Sequence, residues 1–145
     1  MKAVLDASVI VAAVATKNPR SASRVVLEAA ALGGCELVVT DEIEAEYLDA
    51  LARPKVKRAS PAGFDGPAFV AAIVAVAERV EPVPDVHVIK ADPDDDKYVA
   101  AALAGRADVV VTFDRKHMLV LREHQGIRFL TPGDFLSALA DQPTS

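Results

Sequence analysis

The chain has 145 residues, 52% of them hydrophobic and 26% charged, which fits one domain with its own apolar core and excludes a disordered chain. Its longest unbroken apolar run, Ala68 to Ala77, falls well short of the roughly twenty residues that span a bilayer, which excludes a membrane protein. Net charge is −5, with 16 basic and 21 acidic side chains, the wrong sign for a protein that grips nucleic acid through a broad basic face.

Taken in chain order, Ala3-Val4-Leu5 predicts a short buried strand with Asp6 just past its end. Residues 8–16 and 21–32 predict helices, the second stopped by Gly33-Gly34. Leu37 to Val39 predicts a second strand, and residues 41–51 a helix with Ile43, Tyr47, Leu48 and Leu51 on one stripe. The basic stretch Arg53 to Arg58 and the following Ser60-Pro61-Ala62-Gly63 predict a loop or short arm. Residues 69–80 predict a helix apolar nearly all round, either deeply buried or part of a subunit contact. Val86 to Ile89 is a possible third strand, residues 94–104 a helix stopped by Gly105, and Val109 to Val111 a fourth strand leading to Thr112 and Asp114. A last strand at 127–129 and a helix at 132–139, capped by Thr131, complete the chain. Apolar strands alternating with helices predict a parallel sheet covered on both faces, with its site beyond the carboxyl ends of the strands.

One cysteine, Cys35, can neither staple the fold nor build a Cys-rich zinc site, and it suits a reducing, cytoplasmic setting. The first residues are not read as a secretory signal, because Asp6 cancels Lys2 where such a signal is positive.

Four segments carry an acid toward the expected site edge: Asp6, Glu46, the cluster Asp92 to Asp96, and Asp114. Convergent carboxylates repel one another unless cations bind, and oxygen-only donors suit Mg²⁺ or Mn²⁺ and phosphoryl chemistry. Each acid also has a plain structural reading. Asp92 with Pro93 resembles a helix start, Glu44 stands three residues after Asp41 as in a capping box, and a lone Asp after a strand is commonly a turn residue. Within the cluster, Asp95 falls on the inward stripe with Tyr98 and Ala102, which favours it over Asp94 and Asp96. Glu46 lies nearest the apolar stripe among the polar residues of its helix.

Four pieces, in this order and spacing, resemble the PIN-domain ribonucleases, in particular VapC-like toxins of prokaryotic toxin–antitoxin pairs. They are Val4-Leu5-Asp6-Ala7-Ser8, then Glu46-Tyr47 with Leu51 to Lys55, then Asp92 to Tyr98, and Ala107-Asp108 through Thr112-Phe113-Asp114. The resemblance implies a single α/β PIN-like domain over residues 1–140 with a short tail at 141–145. It implies a five-stranded, mostly parallel sheet with helices on both faces. It places the family's acids on Asp6, Glu46, Asp95 and Asp114, as catalytic residues and as ligands of Mg²⁺ or Mn²⁺. Ser8 and Thr112 fall on its supporting positions. Asp96, where many relatives carry Asn, and Phe113, in place of a small residue, depart from its pattern.

The function expected is metal-dependent endoribonuclease chemistry, with metal-activated water attacking the phosphodiester and Glu46 or Asp114 orienting that water. RNA contacts are expected from Arg53, Lys55, Lys57 and Arg58, with Arg115, Lys116 and Arg122 near the site, and weak intrinsic affinity from only 5% aromatic residues. His117 and His124 read as surface residues. The partners expected are RNA, a cognate antitoxin protein and a second copy in a homodimer. The competing readings are a PIN-like module that binds without cutting and a receiver-type phospho-signalling domain. The latter wants a paired acid beside the first strand, which this chain lacks.

Overall fold

The computed structural model describes residues 1–143; Thr144 and Ser145, the end of the expected tail, lie outside the described residues. The strands are β1 (Lys2–Leu5), β2 (Glu36–Val39), β3 (Ala77–Arg79), β4 (Val109–Val111), β5 (Glu123–His124) and β6 (Ile127–Leu130). The helices are α1 (Ala7–Ala15), α2 (Ala22–Ala31), α3 (Asp41–Ala52), α4 (Pro54–Ala59), α5 (Gly66–Val76), α6 (Asp96–Gly105) and α7 (Pro132–Ala140). The sheet runs β3-β2-β1-β4-β6-β5 and is parallel except for the β5–β6 pair. Among the described residues it therefore has six strands, not five; the added one is the two-residue β5, which folds back on β6.

Both faces of the centre are covered. Ala3, Val4 and Leu5 are buried in succession, as are Val109, Val110 and Val111, and consecutive strand residues point to opposite faces. Helix α6 packs on β1, β2 and β4, and α7 on β4 and β6. The α6 contact is close: a Cβ on Gly105 would lie 2.6 Å from Val38 Cγ1, so only glycine lets the helix end approach the sheet. Gly105 is thus the last helical residue, and Arg106, at φ 54°, makes the left-handed stop expected of it. Gly33 does take positive φ after α2.

Three other expectations change. The apolar segment 69–80 is not one helix: α5 ends at Val76, and Ala77–Arg79 becomes β3, pairing with β2 from Leu37 to Val39. Only Val70 and Ile73 of α5 are buried, so its other face is open rather than deep. Val86 to Ile89 forms no strand, because the amides of Val88 and Ile89 donate to Asp96 Oδ1 at 2.9 and 2.8 Å instead of joining a ladder. The arm at 54–59 is the short helix α4. Thr131 does cap α7, its hydroxyl accepting from Asp134 N–H.

Asp96 thereby acquires a structural role. One oxygen takes both amides, and an Asn carbonyl can do the same, so Asp96→Asn should cost less than about 1 kcal/mol in urea unfolding. Asp96→Ala leaves two amides short of partners and should cost about 2–4 kcal/mol. Equal losses for the two variants would refute this role.

Candidate active site

The strand order reverses at β1, whose neighbours are β2 on one side and β4 on the other. Open α/β sheets leave a crevice at such a switch point, at the carboxyl ends of the strands. Asp6 follows β1 there, and its N–H donates to Val111 O at 2.9 Å, closing the turn onto β4.

Two side chains hold the Asp6 carboxylate and two more hold the chain beside it. Its Oδ2 accepts from Ser8 Oγ at 2.9 Å and from Thr112 Oγ1 at 2.7 Å. The chain on either side of it is pinned by two buried tyrosines: Tyr47 OH donates to Leu5 O at 2.5 Å, and Tyr98 OH accepts from Ala7 N–H at 3.2 Å. Burial, then the charge of Asp6, pushes both phenols far above their ordinary range, so they stay neutral and serve as fixed dipoles. Both hydroxyls go to Oδ2, and Asp6 Oδ1 has no hydrogen-bond donor among the described residues.

Beyond β4, Thr112 is fully buried and organises the next turn, its Oγ1 also accepting from Asp114 N–H at 3.0 Å. Ser8 Oγ accepts from Phe113 N–H at 3.3 Å, which ties the two strand ends together and leaves the Phe113 ring exposed. Asp114 Oδ1 accepts from the amides of Lys116 and His117 at 3.1 and 3.0 Å; its Oδ2 lies 3.5 Å from His117 Nδ1. The sequence reading set His117 aside as a surface residue; it stands half-exposed beside this acid.

The cluster at 92–96 divides its labour. Asp92 makes no capping bond, and Pro93–Asp95 form one 3₁₀ turn before α6. Asp95 makes no capping bond either. Burial pushes its carboxyl up to about 7, helped by the charges of Asp6, Asp92, Asp114 and Asp94. Asp6, Asp95 and Asp114 thus share one electrostatic field. They do not form a finished ligand set: among the described residues, no three Asp, Glu, His or Cys side chains stand close enough to hold an ion as placed.

Glu46 sits differently. Its Oε1 lies 3.4 Å from Arg53 Nη2 and its Oε2 3.6 Å from Lys97 Nζ. Lys97 is buried and also meets Asp94 Oδ2 at 3.2 Å. Burial acts to lower its ammonium pKa, yet the bond to Asp94 and the charges of Glu46, Asp94 and Glu42 leave it raised. Glu44 belongs to no capping box: Thr40 caps α3 through Ile43 N–H, and Glu44 pairs with Arg79, as does Asp41. Lys55, Lys57, Arg58, Arg115, Lys116 and Arg122 are all exposed, while Arg53 is engaged with Glu46 and Asp49.

Sequence reasoning missed Lys97 and the hydroxyl roles of Tyr47 and Tyr98. A signal existed for each: Lys97 stands three residues after Asp94, a helical ion-pair spacing, and a tyrosine on a buried stripe needs a partner for its hydroxyl.

A family model for the PIN domain matches residues 2–116, which take in all four acids. The chain belongs to the PIN-domain family. PIN domains are in general nucleases and typically use divalent metal ions. The crystal structure of PAE2754 from Pyrobaculum aerophilum aligns with this PIN domain at a TM-score of 0.55, over 98% of this chain and 100% of that one, with 17% identity. That likeness is one of fold. No curated protein matches the sequence. No helix of this PIN domain, among its described residues, is long and apolar enough to cross a membrane.

The donor chemistry fits a divalent ion. Every available group is a carboxylate oxygen, and Asp95 carries repulsion from four other acids that a cation would relieve.

Proposed function

We propose that this PIN domain is a Mg²⁺- or Mn²⁺-dependent endoribonuclease, the toxin of a toxin–antitoxin pair working in the cytoplasm. The observation that carries the reading is the grouping of Asp6, Asp95 and Asp114 in one field at the β1–β4 switch point, with Asp6 fixed by Ser8 and Thr112. These three acids would hold the ion. When bound, the ion lowers the pKa of a coordinated water and offsets charge on the phosphate.

The chain's own groups do the rest. Ser8 and Thr112 keep Asp6 Oδ2 occupied, so that Oδ1 is the oxygen left to meet the ion. Either Glu46, held between Lys97 and Arg53, or Asp114 would orient the water or take its proton. In-line attack by water leaves a 5′-phosphate and a 3′-hydroxyl. Lys55, Lys57 and Arg58 on α4, with Arg115 and Lys116 beyond Asp114, supply contacts to the RNA backbone, and the exposed ring of Phe113 offers a stacking face to a base.

For an antitoxin, the supporting feature is an open groove of about 720 Å³ bordered by Leu48, Leu51, Phe64 and Pro67. A homodimer draws on the outward face of α5, where Ala68, Ala71, Ala72, Ala75 and Val76 are exposed.

One observation favours the competing reading of a module that binds without cutting: among the described residues, no three acids close on one point as placed. The experiment that separates the two is digestion of an RNA panel. Cleavage should need Mn²⁺ or Mg²⁺, stop in excess EDTA and return on adding Mn²⁺. Cutting that persists undiminished in EDTA defeats the metal mechanism, and no cutting with any ion selects the silent module.

A further inference from the structure

Glu46 differs from the other three acids in what faces it. Each of its oxygens has its own cation, Arg53 Nη2 at 3.4 Å and Lys97 Nζ at 3.6 Å. Lys97 is the telling partner, because its side chain is only 6% exposed. An ammonium taken so far out of water persists only where anions and polarisable groups surround it. Here Glu46 and Asp94 face it, and the Tyr98 ring centroid lies 5.9 Å away. Glu46 borders the same cleft as Asp6: both carboxylates act on the buried Tyr98 phenol, which lies between the two halves of the site.

We propose that Lys97, closing on Glu46 together with Arg53, is a built-in cation filling the Glu46 side of the cleft, so that the site takes one divalent ion and not two. This rests on the metal-nuclease reading above. A pair of divalent ions needs carboxylate oxygens around each, and the two ions stand about 3.5–4 Å apart. A second ion at Glu46 would meet an ammonium and a guanidinium already on both oxygens, and would have to displace them or be repelled by them. The lysine is no mobile surface charge that could swing aside: it lies in the first turn of α6, two residues after Asp95. One element thus places both the acid that faces the ion and the cation that substitutes for a second ion.

The test is the number of Mn²⁺ ions bound per chain, counted by equilibrium dialysis and by the EPR signal of free Mn²⁺. Wild type should bind one. Lys97→Met, which keeps the length of the stem and removes the charge, should bind two, and adding Glu46→Gln to it should restore one. Glu46→Gln alone should weaken Mn²⁺ less than about fivefold, against a tenfold or greater loss for Asp95→Asn. Two ions in wild type, or one ion in folded Lys97→Met, would overturn the proposal. If Lys97→Met does not fold, the wild-type count and the Glu46→Gln affinity decide, and a loss of about fivefold or more in Glu46→Gln overturns it. Binding of no ion by wild type would instead bring down the metal-nuclease reading itself.

Discussion

Asp6→Asn should lower RNA cleavage by at least about 10²-fold while leaving the fold in place. The carboxylate's Oδ2 accepts two hydroxyls, from Ser8 and Thr112, and an Asn carbonyl can take the same position. The amide nitrogen then falls at the position of Oδ1, the oxygen without a hydroxyl partner, and a donor stands where an anionic oxygen is needed to meet a cation. The tyrosine contacts on either side reach backbone atoms of Leu5 and Ala7, so they survive the change. Circular dichroism and melting of the variant should match wild type closely, and kcat should carry the loss. A variant that cuts within about threefold of wild type would remove Asp6 from the chemistry.

The second large effect is on stability. Asp95→Asn should melt higher than wild type in EDTA and gain less from Mn²⁺. The Asp95 carboxyl is pushed from its ordinary 3.8 up to about 7 by burial first and then by Asp6, Asp92, Asp114 and Asp94. A raised folded-state pKa means that the folded chain holds the proton more tightly than the unfolded one. Stability is therefore fully present in acid and is lost as pH rises from about 4 toward 7. At neutral pH wild type carries that loss and the neutral amide does not. Because the carboxyl is only half-buried, solvent screens the effect to on the order of 1–2 kcal/mol, or about 3–6 °C for a chain of this size. Mn²⁺ binding only the folded site would add about 2.7 kcal/mol to wild type at a hundredfold excess over Kd, and less to the variant. A capping Asp95 predicts the opposite sign, since losing a charge at a helix start costs up to about 1 kcal/mol. Its lack of any capping bond already points away from that role.

How much of this was legible in the sequence follows from where each signal resides. Apart from the charged residues that open β1 and β2, the strands β1, β2 and β4 are short runs of Val, Leu and Ala buried on both faces, and residues alone located them. β3 was not legible, because apolar residues continue from α5 into Ala77 with no Gly or Pro to mark the change. Its Ala-Glu-Arg sequence is strand because the free edge of β2 accepts it. Val86 to Ile89 has the alternation of a strand, but a single carboxylate seven residues downstream of Ile89 claims its amides.

At the site, Asp6 and Asp114 were legible because a strand end fixes the residue that follows it. The helix-stripe argument for Asp95 does not hold as made: Asp95 sits in a 3₁₀ turn ahead of α6 and is half-buried, while Asp96, the first residue of α6, is the buried one. What separates the two is their partners, backbone amides for Asp96 and the field of the other acids for Asp95. Lys97 was not legible as a partner of Glu46, because 51 positions separate them and only the packing of α3 on α6 joins them. The same is true of Tyr47 and Tyr98, whose hydroxyls meet the turn around Asp6 from two different helices.

The most direct measurement is the rate of RNA cleavage by wild type and Asp6→Asn, run side by side across a Mn²⁺ titration. The wild-type rate should be nil without the ion and rise to saturation, beside a variant that stays near the baseline throughout. Two superimposable curves, or a wild-type rate indifferent to Mn²⁺, would contradict the metal mechanism.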